Sequence, residues 1–330
     1  MTRTFPAVAF NPASGLLDDV TLPLPAPDGN DLLVKVLAVS VNPVDLKRRQ
    51  LLPANTPPLR LGFDAVGVVE ALGPEARGFL PGDRVFYAGA VTRDGTNGAY
   101  HLVDADIVGR APEGVSDADA AAMPLTALTG WEALFERLGY AARFGAAQPG
   151  RLLVINGAGG VGSVTLQLAK AAGIHATATA SRPDSVDWCR AMGAAEVLDH
   201  AALANLPDNS FERILCAHDA DRYFDTMARL IAPQGLICAI TGLREPQTFE
   251  PLFRKSAGFV WEYMFARSTF DTADKARQGE ILTQVAGMME AGTLKTTLTV
   301  TLEGLTAESL QAAHDRVGQG AMRGKLVLTL

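Results

Sequence analysis

RLLVINGAGGVGSVTLQLAK, residues Arg151 to Lys170, changes its period halfway along. Leu152-Leu153-Val154-Ile155 is a short apolar run, rich in the branched residues that a buried strand prefers. Gly157-Ala158-Gly159-Gly160-Val161-Gly162 then turns the chain, and Val164, Leu166, Leu168 and Ala169 continue it as a helix packed on a sheet. Gly157, Gly159 and Gly162 fit G-x-G-x-x-G: the first gives a tight turn, the second lets the backbone approach a pyrophosphate, and the third lets helix and strand pack closely. The helix N-terminus offers unpaired N–H groups to a diphosphate. Glycines alone are a weak signal, because they also punctuate ordinary turns. Here they follow a strand, open a helix and precede a second βα unit. The stretch reads as a dinucleotide cradle, with Gly157, Gly159, Gly160, Val161 and Gly162 as contacts. Leu152 to Ala169 carries no charge and has the length of a membrane span, but its four glycines, Asn156, Gln167 and the change of period argue against one.

A chain of 330 residues has the length of roughly two domains. Its 36 acids against 29 Lys and Arg give a net charge of −7, which disfavours nonspecific binding to nucleic acid or anionic membranes. The opening MTRTFPAVAF lacks the apolar core and cleavage site of a secretory signal. Cys189, Cys216 and Cys238 are widely spaced and imply no disulfide framework. A reduced, cytoplasmic protein is the expectation.

Residues 1 to about 124 read as mostly β. Ala7 to Phe10, Leu32 to Val41, Gly62 to Leu72, Val85 to Ala88 and Ala99 to Val103 are expected strands, with a short helix at Leu46 to Leu51 and a mobile polar loop at Ala90 to Gly98. Ser116 and Asp119 form a capping box for an Ala-rich helix, and Leu125 to Trp131 is a second helical pattern. After the glycines, strands alternate with helices: Ala176 to Ala180, Val197-Leu198, Arg213 to Ala217 and Leu236 to Thr241, with helices at Pro183 to Met192 and Tyr223 to Ile231. That alternation predicts a doubly wound parallel sheet. A helix at Lys275 to Ala291 and a strand at Leu326 to Leu330 return to the first domain.

Dinucleotides are discriminated where the second strand ends, roughly 20 residues beyond the glycines, where an Asp or Glu accepts the ribose hydroxyls of NAD. Thr177-Ala178-Thr179-Ala180-Ser181-Arg182 holds no acid and one cation. A hydroxyl and a guanidinium suit a 2′-phosphate, which favours NADPH and makes Ser181 and Arg182 contacts. The same residues carry a structural reading: Ser181 as helix N-cap with Asp184 completing the box, Pro183 in the first turn, and Arg182 solvated. The two readings are compatible. Ala217 and Ile240, at the ends of the later strands, complete the candidate cofactor contacts. Cys216, His218 and Asp219 also end a strand; as a buried thiol and a polar terminus they are too few donors for a metal.

A small β domain, a dinucleotide domain and a C-terminal return, together with Gly82-Asp83-Arg84-Val85, Leu128-Thr129-Gly130-Trp131, the glycine motif and Gly324-Lys325-Leu326-Val327-Leu328, resemble the medium-chain dehydrogenase/reductase superfamily over essentially the whole chain. More narrowly, the chain is similar to the zinc-free quinone oxidoreductase branch and its subgroup often labelled zinc-binding alcohol dehydrogenase family. The resemblance implies an α/β protein: a GroES-like β-rich catalytic domain, 1–124 and 270–330, and a Rossmann domain with a doubly wound parallel sheet, 125–269. It also implies a homodimer joined through the Rossmann sheets. Zinc members carry Cys, His and Cys where this chain has Asn42, Phe63 and Leu125, and their relay hydroxyl falls at Val44. Phe and Leu donate nothing to a metal, and the four-cysteine structural lobe is missing, so no metal is expected.

Around the nicotinamide the resemblance points to Asn42, Asp45, Tyr87 and Thr129, with Thr129 against the ring. Plainer roles stand beside these: Asn42 and Asp45 bracing a turn, and Tyr87 as a half-buried aromatic with its hydroxyl at the rim. His200 falls where the family often contacts the adenosine phosphate, and is equally an ordinary surface residue. Alternating aromatics in Gly258 to Phe265, GFVWEYMF, read as an edge strand in a dimer interface or as a pocket wall. The expected function is NADPH-dependent reduction of quinones or α,β-unsaturated carbonyls by direct hydride transfer without zinc. Alternatives are a catalytically weak NADPH-binding sensor or scaffold and a zinc-type alcohol dehydrogenase.

Overall fold

The computed structural model describes residues 3–330. In chain order its strands are β1 (Thr4–Asn11), β2 (Leu16–Pro23), β3 (Asp31–Val41), β4 (Leu59–Arg60), β5 (Asp64–Leu72), β6 (Arg84–Tyr87), β7 (Tyr100–Asp104), β8 (Val108–Arg110), β9 (Arg151–Ile155), β10 (His175–Thr179), β11 (Glu196–Leu198), β12 (Phe211–Cys216), β13 (Ile231–Ala239), β14 (Gly258–Trp261), β15 (Leu298–Glu303) and β16 (Lys325–Thr329). They divide between two compact units. One comprises residues 3–125, 265–292 and 296–330, the other residues 126–264 and 293–295.

The first unit holds a three-stranded sheet, β2-β1-β4, and a larger sheet in the order β15-β16-β3-β5-β6-β8, with β7 also paired to β3. Antiparallel pairing prevails, but β15 and β16 run parallel. β3 is buried along most of its length, because β5, β7 and β16 all pair with it. The helix Arg277–Glu290 closes on β8, where Gly109 is required: a Cβ there would lie 2.5 Å from that of Leu282. The Ser116 hydroxyl accepts the Asp119 N–H and caps the helix Asp117–Ala121 as expected. The segment Ala90 to Gly98 departs from expectation. Thr96 and Asn97 are buried and their backbone N–H groups donate to Gly62 and Leu61, so residues 95–98 are packed while Thr92, Arg93 and Asp94 stay exposed. β2 escaped the sequence reading because its exposed residues, Asp18 and Asp19 among them, show no buried alternation.

The second unit is a six-stranded parallel sheet, β11-β10-β9-β12-β13-β14. In the unit's own strand order this is 3-2-1-4-5-6, the doubly wound arrangement that reverses direction beside its first strand. Leu152, Leu153, Val154 and Ile155 of β9 are all fully buried, and each contributes roughly 1.5–3 kcal/mol by leaving water. The helix Gly160–Ala171 follows, buried from Gly162 to Ala169. No described helix is long and apolar enough to cross a membrane. β14 is the sheet's edge, as the aromatic alternation predicted.

Candidate active site

The glycine turn is set by its neighbours. Asn156 adopts φ +69°, its N–H donates to Thr179 Oγ1 at 2.8 Å, and Gly157 N–H donates to the Thr179 carbonyl at 3.0 Å. A Cβ on Gly157 would meet the Cβ of Ala178 at 2.7 Å, and one on Gly162 would strike the Asn156 carbonyl and Gly157 Cα, the latter at 2.7 Å. A Cβ on Gly159 would meet only the Asn156 amide, at 3.0 Å. Gly159 is the helix N-cap and brings no capping side chain, so the first-turn N–H groups of Gly160, Val161 and Gly162 have no intrahelical acceptor and can serve an anion. Two glycines are dictated by packing and one by the open cradle, which fits a dinucleotide pyrophosphate. The sequence reading missed Asn156 and Thr179, since neither the left-handed Asn nor a strand-end hydroxyl carries a signal in isolation.

Ala217 and Ile240 lie where they were expected, at the carboxyl ends of β12 and β13. Ala217 N–H donates to Ile155 O at 3.1 Å and Ile240 N–H to Cys216 O at 3.2 Å. Ile240 also lines a cavity of about 590 Å³ with Thr241, Leu243, Trp261, Glu262 and Tyr263. The Asp221 carboxylate holds the cavity's loop by accepting the backbone N–H groups of Arg244 and Glu245. Glu262 is also absent from the sequence reading: its carboxylate lies 2.9 Å from Arg137 Nε, while burial and the neighbouring Glu132 carboxyl push its pKa up. Arg137 ends a π-helical turn, Glu132–Arg137, that continues the helix Pro124–Trp131 bearing Thr129. Thr129 itself is buried.

At the far end of the cradle the expected cap is corrected. The N-cap of the helix Pro183–Ala191 is Arg182, with no side-chain capping bond. Asp199 accepts the Ala201 N–H at 2.7 Å, and that bond, followed by the Ser181 side chain, holds its carboxyl below the usual carboxylate range. Arg182, half exposed, has its Nε 3.6 Å from Asp184 and donates from Nη2 to Ser185 Oγ at 3.3 Å. His200 Nδ1 lies 2.7 Å from the Tyr223 hydroxyl, and burial lowers its pKa. Cys216 is buried, which pushes its thiol up to about 12, and Asp219 pairs with Arg244; no metal-binding group of three or more such side chains occurs among the described residues.

In the first unit Asn42 and Tyr87 are buried, each with its polar atoms engaged. Asn42 Nδ2 donates to Asp64 Oδ2 at 2.8 Å, and its Oδ1 accepts from Lys325 Nζ. Lys325 Nζ also lies 3.1 Å from Asp64 Oδ2, while Asp64 Oδ1 accepts Leu125 N–H at 2.7 Å. Asp45 completes a capping box with Asn42, accepting the Asn42 N–H at 2.8 Å, which is the turn-bracing role. Burial raises the Asp45 carboxyl to about 7. Phe63 packs on Phe265 in a tilted pair, with ring centroids 4.8 Å apart. The donor set therefore does not fit catalytic zinc: Phe63 and Leu125 supply no ligand, and the oxygens of Asn42 and Asp64 already hold an ammonium. Tyr87 is not at a rim. It is fully buried, 3.2 Å from His101 Nδ1; His101 Nε2 meets the Asp94 carbonyl at 2.9 Å and must donate there, so Nδ1 accepts from the tyrosine hydroxyl.

Comparison with known proteins adds a family to this geometry. Residues 28–128 match the alcohol dehydrogenase GroES-like domain, and residues 192–328 match the zinc-binding dehydrogenase domain. A zinc-type alcohol dehydrogenase-like protein of Staphylococcus aureus is 40% identical over 311 residues, 93% of this chain and 92% of that protein. A putative zinc-dependent alcohol dehydrogenase of Rhizobium etli superposes with a TM-score of 0.93 at 41% identity, covering 100% of this chain and 99% of that one. Escherichia coli quinone oxidoreductase, solved with NADPH, shares the fold with a TM-score of 0.78 at 20% identity, covering 99% and 100% of the two chains.

Proposed function

The chain belongs to the medium-chain dehydrogenase/reductase superfamily, as an oxidoreductase with a nicotinamide-dinucleotide-binding Rossmann domain, and we propose that it reduces quinones or α,β-unsaturated carbonyls with NADPH and without zinc. The observation that carries this reading is the ammonium of Lys325 held by Asp64 and by Asn42, which stands at a position where the zinc members carry a Cys. Bound NADPH supplies a hydride from its nicotinamide C4. The glycine cradle and the first turn of Gly160–Ala171 would hold its pyrophosphate, Ser181 and Arg182 its adenosine ribose and phosphate, and Thr129 would pack against its ring. Ala217 and Ile240 flank the dinucleotide at the strand ends. Simple alcohols are poor substrates for the reverse reaction, because Val44 provides no relay hydroxyl and no metal acidifies the alcohol.

NADPH consumption across a panel of quinones, enones and alkenals tests the reading. Turnover with conjugated acceptors supports it. Tight NADPH binding with no turnover assigns a sensor or scaffold role, and ethanol oxidation that requires added zinc assigns a zinc-type alcohol dehydrogenase. We further propose a cytoplasmic homodimer joined along β14, supported by that unpaired edge and by Trp261 and Tyr263, which are 47% and 49% exposed. Light scattering should give the mass of two chains, and a monomer at micromolar concentration would contradict it.

A further inference from the structure

The residues that read the adenosine end of the dinucleotide come from two strands. β10 itself ends without an acid, but β11 pairs parallel to it, with Thr179 opposite Leu198 and Ala180 N–H donating to Leu198 O at 2.9 Å. The next residue on β11's side is Asp199, which this pairing brings beside Ser181, and the Ala201 N–H and then the Ser181 side chain hold its carboxyl below the usual carboxylate range. Asp199 and Ser181 are both exposed, as is Arg182. The carboxylate is fixed by the Ala201 N–H that it accepts at 2.7 Å. A carboxylate and a guanidinium therefore flank the same serine, one suited to ribose hydroxyls and the other to a 2′-phosphate.

We infer that Asp199 is a specificity-determining residue that restrains the preference for a 2′-phosphorylated cofactor, so that the protein accepts both NADPH and NADH with only a narrow margin between them. This rests on the NADPH reading above and adds the residue that opposes it. Asp199 acts on a 2′-phosphate in two ways. Its charge repels the phosphate dianion, and it competes with a phosphate oxygen for the Ser181 hydroxyl. Toward NADH it acts in the opposite sense, as an acceptor for the 2′-hydroxyl. Arg182 keeps the balance on the phosphate side. Its own neighbours, Asp184 and Ser185, hold the guanidinium at the mouth of the helix Pro183–Ala191.

Asp199→Asn removes the charge but keeps an oxygen for the Ala201 N–H, and Asn serves as well as Asp at a cap. Calorimetric titration of parent and variant with NADPH, NADH, 2′,5′-ADP and 5′-ADP separates the two ends of the cofactor. The expected result is a shift of about three- to ten-fold in the NADPH-to-NADH affinity ratio toward NADPH, the size of one partly screened charge contact, with the same shift between the two ADP fragments. An unchanged ratio in a variant whose melting temperature matches the parent overturns the inference and leaves the proposed function standing. A parent that binds neither dinucleotide overturns both. A parent that binds NADPH more than a hundred-fold tighter than NADH overturns the inference alone.

Discussion

Lys325 Nζ and Asp64 Oδ2 lie 3.1 Å apart, with 4% and 0% of their side chains exposed. A buried ion pair repays its desolvation only while both partners are present, and deleting one strands the other charge. Lys325→Met and Asp64→Asn should each cost about 3–5 kcal/mol of unfolding free energy. The double variant should recover part of that loss. Urea denaturation of the four proteins checks this, and strictly additive losses would mean that the two groups do not support one another.

Asp45 should make stability depend on pH. Its folded carboxyl is raised by burial from an ordinary 3.8 to about 7, so in this window the unfolded chain carries the charge and the folded one does not. The folded state thus binds more protons, and stability falls as pH rises from about 4 to about 7, then levels off. Asp45→Asn should remove that slope. Its stability relative to the parent should grow across this window and stay constant above it; parallel curves would contradict the assignment.

The glycines of the cradle should separate into two kinds. Gly162→Ala drives a Cβ into the Asn156 carbonyl and Gly157 Cα, a backbone clash that cannot relax, and should cost more than about 2 kcal/mol. Gly159→Ala meets only the Asn156 amide, so it should keep its stability within about 1 kcal/mol while weakening dinucleotide binding about ten-fold or more. Thermal melts beside NADPH titrations would distinguish them.

Tyr87→Phe should change kcat by less than about two-fold, because the hydroxyl is already donated to His101 inside the first unit. His101 is held neutral, burial lowering it to about 3, and its Nδ1 acceptor would be left without the tyrosine hydroxyl. The expected cost is therefore in stability, about 1–3 kcal/mol. A hundred-fold loss of kcat with unchanged stability would return Tyr87 to the site as an oxyanion donor.

Much of the second unit was legible from residues alone. β9, the glycine turn and the buried helix face announce themselves through apolar runs, period and spacing, and the aromatic alternation marked the edge strand β14. What stayed hidden depends on register between distant segments. Nothing near residue 182 shows that Asp199 will arrive beside Ser181; only the pairing of β11 on β10 brings it there. Asp64 and Lys325 are 261 residues apart, and no local pattern pairs them. Tyr87 was misplaced at a rim because a strand-end aromatic resembles a surface residue until its neighbours on β5 and β8 are known. β15 and the helix Ala307–Gly318 were passed over because the strand is only half buried and carries no continuous apolar face.

The most direct test of the central proposal is hydride transfer itself. NADPH carrying deuterium at one face of the nicotinamide C4, incubated with an enone that the protein consumes, should deliver the label stereospecifically to the β-carbon of the saturated product, and protein stripped with a chelator should do so at the parental rate. An unlabelled product, or loss of the activity on chelation with recovery on added zinc, would contradict the account.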